Sequence, residues 1–257
     1  LKKAKILHKE GHIITQDKQL LLDSLSWGPD LENLPLFKKN FYQPIQKLPY
    51  TVAVISGRSS RSYYHWMVDQ LPRLKLLADS GLSYDKLFFP KITDSFQRET
   101  LEILGIKKEN IIESSSNQVF APETTIAISN PSTAYINNDK YNRSNHFPRW
   151  VIPFLRENFL NKKADEKAPF RKVYITRKNA TWRRILNEME IIPKLEEMGF
   201  EIHALEKESI ASQAKLFNES KVIIGPHGAA FTNLVFCQKG CKVIEIFNPK
   251  HPEVLFH

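Results

Sequence analysis

His65 and Asp69 stand four residues apart in Tyr64-His65-Trp66-Met67-Val68-Asp69-Gln70-Leu71-Pro72-Arg73-Leu74. On a helix that spacing puts imidazole and carboxylate on one face. A carboxylate beside an imidazole raises its basicity and orients it, which suits general-base work. Imidazole titrates nearer neutrality than a carboxylate, so His65 is the preferred base and Asp69 its orienter, although the two roles could be exchanged. Arg61 and Arg73 extend that face if the helix survives Pro72. The plain alternative is a His–Asp pair that merely braces a helix.

A second stretch, Gly225-Pro226-His227-Gly228-Ala229-Ala230-Phe231-Thr232-Asn233, follows the apolar run Lys221-Val222-Ile223-Ile224. A strand that ends in small residues and turns straight into a helix leaves backbone N–H groups facing outward. With the helix dipole, those groups make an anion site. Small residues at Gly228, Ala229 and Ala230 let a ligand approach the backbone closely, and His227 adds a donor or a charge near neutral pH. A phosphate-bearing ligand is the natural guest, although many strand-to-helix turns of this kind bind nothing.

The third stretch is Tyr174-Ile175-Thr176-Arg177-Lys178-Asn179-Ala180-Thr181-Trp182-Arg183-Arg184. A strand delivers Arg177 to the sheet edge, and a short loop returns Arg183 and Arg184. Arginine is suited to forked recognition of phosphate oxygens. Asn187 caps the following helix, and Glu190 three positions later completes a capping box, so Asn187 and Glu188 have a structural reading as well.

These side chains need elements to hold them. The first 45 or so residues read as irregular, with turns at Trp27-Gly28-Pro29 and Leu34-Pro35. Thr51–Ser56 reads as a buried strand. The loop Gly57–Ser62, with Arg58, leads to a helix from Tyr63 to Asp79 that Pro72 kinks or restarts. Strands at 86–89 and 110–112, a helix at 95–104 and an extended run at 119–128 complete the first half. A composition shift with Pro131, Asn137-Asn138, Asn145 and Pro148 marks a boundary, giving domains 1–145 and 146–257. A helix from Pro148 to Phe159 opens the second half. Strands at 172–176, 200–205, 221–225 and 243–247 then alternate with helices at 187–198, 209–218 and 228–236, the pattern of βαβ units on a parallel sheet. Gly199 stands where a helix C′ residue belongs. Ligands of such sheets bind at the C-terminal strand ends, where Arg177, His227 and Asn248 fall.

Composition narrows the classes. With 257 residues, 42% hydrophobic and 25% charged, the chain is an ordinary globular protein with room for one large domain or two smaller ones. No apolar run is long enough to span a bilayer, and no secretory leader opens the chain. The net charge of +9 suits anionic substrates, nucleic acid or a membrane surface. Its basic residues are dispersed in short groups such as Lys38-Lys39 and Lys162-Lys163, with no basic tail or nucleic-acid signature, so nucleic acid is not the expected partner. Cys237 and Cys241 match neither a redox pair nor half a zinc site, and read as packing residues in a reducing compartment. His8 and His12 make a weak metal candidate, and the sequons at Asn142, Asn179 and Asn218 are of the kind expected by chance. No metal site is expected, since no Asp-x-Asp motif appears.

In order along the chain come His-Trp-x-x-Asp-x-Leu-Pro-Arg-Leu at 65–74, Tyr-Ile-Thr-Arg at 174–177, Arg184 through Asn187-Glu188, and Gly-x-His-Gly-Ala-x-x-Thr-Asn at 225–233. This pattern closely resembles glycosyltransferase family 61, over roughly residues 50–248. The resemblance implies an α/β fold of the GT-B type, two Rossmann-like domains with parallel sheets facing a cleft. It implies inverting transfer of a hexose or pentose from a nucleotide sugar, UDP-linked by preference, to a glycan or polysaccharide, with no cofactor and no obligatory metal. The diphosphate would then be neutralised by protein cations and a helix N-terminus. In that frame the second half holds the donor through Arg177, Arg183, Arg184, Asn187, His227 and residues 228–230. Thr232 and Asn233 add hydrogen bonds, and Glu245 adds a ribose or support contact. The first half presents His65 and Asp69 to the acceptor, with Arg61 and Arg73 on the acceptor side.

The family's bacterial polysaccharide-assembly branch fits the Lys-, Asn- and Phe-rich composition. That branch places the chain in the cytoplasm, with peripheral contact at the inner membrane. In a eukaryote the place would be the secretory lumen. Closing helices usual in GT-B enzymes do not follow the last expected strand before His257. The competing class is a non-catalytic glycan- or nucleic-acid-binding module on a transferase-like fold. Co-occurrence of His65, Asp69, Arg177 and His227 argues against it.

Overall fold

The computed structural model describes residues 1–7, 10–22, 44–57, 59–114, 117–136, 143–161 and 167–248. The expected turns at Trp27-Gly28-Pro29 and Leu34-Pro35, His8, Lys38-Lys39, Arg58, Asn137-Asn138, Asn142, Lys162-Lys163 and His257 lie outside the described residues. The chain forms two compact units, Leu1–Ile136 with Asn145–Val151, and Asn137–Ser144 with Ile152–His257.

In the first unit six strands make one sheet, in the order β2-β1-β6-β3-β4-β5. They are β1 (Lys5–Leu7), β2 (His12–Ile14), β3 (Ile45–Val54), β4 (Lys86–Phe89), β5 (Ile111–Glu113) and β6 (Val119–Ala127). The pairs β3–β4, β3–β6 and β4–β5 are parallel, whereas β1 runs antiparallel to both β6 and β2. The sheet is therefore mixed, which corrects the expectations of an irregular N-terminus and of a wholly parallel sheet. Gly11, at φ +70°, makes the β1–β2 turn, and a Cβ there would meet the Ser56 Cβ at 2.6 Å. Strands of three residues are too short to show a period in sequence. β3 begins six residues before the expected strand, and its pairing with β6 shifts register between Leu48 and Thr51, where Pro49 cannot donate. Ala4, Ile6, Ile13, Val52, Val54, Phe88 and Phe120 pack as its core.

Behind β3 the chain enters a helical run in three parts: α1 (Tyr63–His65), a π turn (Trp66–Gln70) and α2 (Leu71–Asp79). Proline at 72 has no N–H to give and crowds the carbonyl four residues back. Widening the preceding turn resolves that conflict without ending the helix: Leu71 N–H reaches the Trp66 carbonyl, five residues back. Helix α3 (Ser95–Ile103) starts with a capping box between Asp94 and Gln97. Its Thr100 hydroxyl receives the Trp66 indole N–H at 2.8 Å. Two short strands, β7 (Thr133–Ile136) and β8 (Arg143–His146), form a separate ladder.

Helix α4 (Val151–Phe159) and the second sheet follow. Four strands, β9 (Arg171–Ile175), β10 (Glu201–His203), β11 (Ser220–Pro226) and β12 (Lys242–Ile246), pair in parallel in the order β10-β9-β11-β12, as the alternating pattern requires. Helices α5 (Glu188–Glu197) and α6 (Ile210–Asn218) connect them. Gly199, at φ +79°, ends α5: its N–H bonds to the Glu196 carbonyl and that of Phe200 to the Leu195 carbonyl, a Schellman pair. Between β11 and β12 the expected α-helix is a 3₁₀ helix, Ala229–Phe236. Two carbonyls near its end, those of Val235 and Cys237, receive the Arg156 guanidinium of α4. Asn218 is wholly buried, its amide donating to the Phe236 carbonyl. That position leaves no room for a glycan on its sequon.

Candidate functional site

Each unit carries one imidazole–carboxylate pair among its candidate residues. In the first unit His65, the last residue of α1, and Asp69, in the π turn, share one face. His65 Nδ1 lies 2.6 Å from Asp69 Oδ2, and Asp69 is only 2% exposed. A carboxylate only accepts, so the imidazole donates Nδ1–H and keeps its basic lone pair on Nε2. The other oxygen, Asp69 Oδ1, accepts the hydroxyl of Ser132, a residue the sequence offered no reason to select. Neighbouring Tyr64 is held well above the usual phenol range, first by burial and then by the Asp69 charge.

Arg73 does not extend this face. Its side chain is wholly buried, with Nε donating to the Asp69 carbonyl at 3.2 Å and Nη1 to the Ser56 carbonyl at 3.0 Å. It ties the widened turn to the end of β3, which replaces the acceptor-side role expected of it. Burial lowers its pKa to about 10, with the Asp69 charge pulling the other way. Arg61 is exposed and lies 3.4 Å from Asp94. Gln70 is fully buried, and neither its amide oxygen nor its nitrogen has a partner among the described residues.

In the second unit, β9, β11 and β12 end together. Arg177 follows β9, His227 follows β11, and Glu245 lies on β12, in register with Gly225. His227 donates Nδ1–H to Glu245 Oε1 at 2.5 Å, its backbone N–H bonds to the Ile246 carbonyl, and its ring stacks on Phe247. Glu245 thus supports His227. Gly228 is extended, at φ 171°, so any residue could adopt its backbone. What requires glycine is the Arg177 guanidinium: a Cβ at 228 would stand 2.0 Å from Arg177 Nη1.

Arg177 Nη2 donates to the Trp182 carbonyl at 3.2 Å, and Nε is buried with no hydrogen-bond partner among the described residues. Its pKa is lowered, first by burial and then by the Arg183 charge, with Glu206 opposing. Two like charges held close, with carbonyls and a single opposing carboxylate around them, make a place where an anion gains energy. Arg183, in a left-handed conformation at φ +59°, and Arg184 are both exposed, as is Trp182 at 78%.

Other expectations are corrected. Asn187 makes no side-chain cap: its backbone is not extended, and its amide only approaches Glu190 Oε2 at 3.4 Å. Glu188 is the residue that works here, accepting the Tyr174 hydroxyl at 2.8 Å and the Thr176 hydroxyl at 2.7 Å in the interior. Asn233 faces inward and donates to Gln213 Oε1 at 2.8 Å, and Thr232 is buried beside it. The start of the 3₁₀ helix at Ala229 and Ala230 leaves N–H groups without partners inside the helix, as any such terminus does. Among the described residues no group of three or more His, Cys, Asp or Glu side chains could hold a metal ion. No described helix is long and apolar enough to cross a membrane.

Comparison with known proteins places this geometry. The family model described as Glycosyltransferase 61 matches residues 63–244, a span that takes in His65, Asp69, the arginine loop and His227 and stops one residue short of Glu245. A beta-1,2-xylosyltransferase of Oryza sativa subsp. japonica is 28% identical over 101 residues, 39% of this chain and 22% of that protein. A xylan glycosyltransferase of Arabidopsis thaliana is 36% identical over 67 residues, 25% of this chain and 14% of its own length. Each match thus spans less than a quarter of the relative's length.

Proposed function

The chain belongs to glycosyltransferase family 61, and on that premise we propose an inverting transfer from a nucleoside-diphosphate sugar to a glycan hydroxyl, without an obligatory metal. The observation that carries this reading is the Arg177 guanidinium seated on Gly228 beside Arg183, at the C-terminal ends of β9 and β11. A diphosphate there meets the positive charges of Arg177 and Arg183 and the N–H groups at the start of the 3₁₀ helix. Those groups neutralise the charge that grows on the leaving diphosphate as the glycosidic bond stretches, the task a divalent ion performs elsewhere. His227, its Nδ1–H held by Glu245, donates from Nε2 as well when the ring carries both protons.

His65 Nε2 acts as the base. It takes the proton of the acceptor hydroxyl as that oxygen attacks the anomeric carbon. The carbon–oxygen bond to the diphosphate breaks, and its electron pair leaves with the diphosphate. A single base and a leaving-group cradle equip a direct displacement, which inverts the anomeric centre. In this reading the first unit serves the acceptor and the second the donor, as in a GT-B enzyme. Both matched relatives are plant enzymes named for xylosyl or xylan transfer, so UDP-xylose is the donor to test first and a secretory lumen the place they favour over a bacterial cytoplasm.

Calorimetry in EDTA with UDP, GDP, CMP and their common sugar conjugates tests the reading. One nucleotide should bind selectively, and Arg177→Ala should weaken it about 10- to 100-fold, the loss of a charge-assisted pair. Failure of every nucleotide to bind the folded protein would remove the donor site.

A further inference from the structure

Ser132 has no place in the pattern of family-like motifs, yet its hydroxyl is bonded to the carboxylate that holds the candidate base. It lies just beyond β6, 63 residues from Asp69 in sequence, and its own backbone N–H leans on the Asn130 side chain at 3.4 Å. Asp69 is thereby held from three sides. Oδ2 accepts His65, Oδ1 accepts Ser132, and the backbone carbonyl accepts the buried Arg73 guanidinium.

A carboxylate with only one oxygen engaged can turn about its last torsion, and the imidazole bonded to it turns as well. Engaging the second oxygen removes that freedom. The hydroxyl must be the donor, because the carboxylate accepts only. Linked bonds of this kind polarise one another and fix both the ring's orientation and its tautomer.

We propose that Ser132 is a positioning residue for the transfer reaction, which locks the Asp69 carboxylate so that His65 presents Nε2 to the acceptor hydroxyl. This rests on His65 being the base. Ser132→Ala should lower kcat about 10-fold with KM for both substrates nearly unchanged, the size of loss typical when a supporting hydrogen bond to a reactive group is removed. Ser132→Thr keeps the hydroxyl and should restore most of the rate. The melting temperature of Ser132→Ala should stay close to that of the wild type.

A proton NMR spectrum supplies a readout that a role in stability alone would not move. The downfield resonance of the His65 Nδ1 proton, assigned by its loss in His65→Asn, should persist in Ser132→Thr and broaden or vanish in Ser132→Ala. A Ser132→Ala enzyme with unaltered kcat and an intact resonance overturns the proposal while leaving the base assignment standing. An active His65→Ala enzyme overturns the base assignment itself, whatever Ser132 does.

Discussion

The Arg177 guanidinium occupies the space in which residue 228 would carry a side chain, with Nη1 only 2.0 Å from the position of a Cβ. The backbone of Gly228 is extended, so a replacement there suffers no torsional strain. All of the effect must come through Arg177. Gly228→Ala should push the guanidinium aside, with little change in melting temperature because the clash falls on the end of a flexible side chain. Nucleotide affinity should drop about 10-fold, the cost of about 1.4 kcal/mol of misplaced charge-assisted bonding. Equal affinity in calorimetric titrations of the two proteins would detach Arg177 from the ligand.

His65→Ala and Asp69→Asn separate base from orienter. Loss of a general base lowers kcat by about 100- to 10,000-fold. The asparagine variant keeps the shape of residue 69 and should retain more activity than the alanine variant at 65. The reverse ranking, measured as initial rates with saturating donor, would exchange the two roles.

Glu188 should prove a stability residue. Its removal leaves the Tyr174 and Thr176 hydroxyls buried without their acceptor, at about 1–3 kcal/mol for each group stranded. Glu188→Ala should therefore lower the urea midpoint clearly, and Glu188→Gln, which keeps one accepting oxygen, should lower it less. An unchanged midpoint with lost activity would instead make this carboxylate part of the chemistry.

Arg73 bonds two carbonyls from a fully buried position. Arg73→Ala strands both and should cost about 3–5 kcal/mol, in the range for breaking a buried charged contact. Burial sets the pKa at about 10 in the folded state, below its value in the unfolded chain. The unfolded chain holds the extra proton between those values, so stability from this group rises with pH there and is flat below. The loss in Arg73→Ala should accordingly be the same at pH 6 and pH 8. A loss that varies between those two values contradicts this assignment.

Gln70 gives an opposite sign. Its amide is buried, with neither end partnered among the described residues. Replacement by methionine, of similar volume, should raise stability by about 1 kcal/mol, because an unsatisfied polar group is relieved. A lower melting temperature would reveal a partner, such as buried water, that holds the amide in the native protein.

Periodicity and local chemistry made much of the molecule legible. The strand at Lys86–Phe89 and the alternation of strands and helices after residue 170 follow from patterns contained within a few residues. So does the His65–Asp69 pairing, since an i,i+4 contact depends only on the helix that carries it. The Gly199 cap is equally local. Strands β1 and β2 were not legible, because three residues show no period and the strand that joins β1 to the sheet, β6, is more than 100 positions away.

The π turn shows where local reading stops. Pro72 announced a disturbance, but whether the helix ended, kinked or widened depended on Arg73 reaching Ser56 at the end of a strand. Asn187 had the spacing of a cap, yet the neighbouring Glu188 is claimed by the Tyr174 hydroxyl of β9 and the Thr176 hydroxyl just beyond it, and the turn is set by that burial. Thr232 and Asn233 look like ligand contacts beside small residues, but Gln213 on α6 draws Asn233 into the interior.

By itself the sequence determined the types of reactive group, their local spacing and the alternation that brings strand ends together, because each depends on neighbours along the chain. Tertiary structure alone decided which of those groups serve as braces. Burial and a second partner make that choice: Arg73 is spent on two carbonyls, Arg177 rests on Gly228, and Ser132 reaches Asp69 across 63 residues. No short window of sequence contains both members of such a pair.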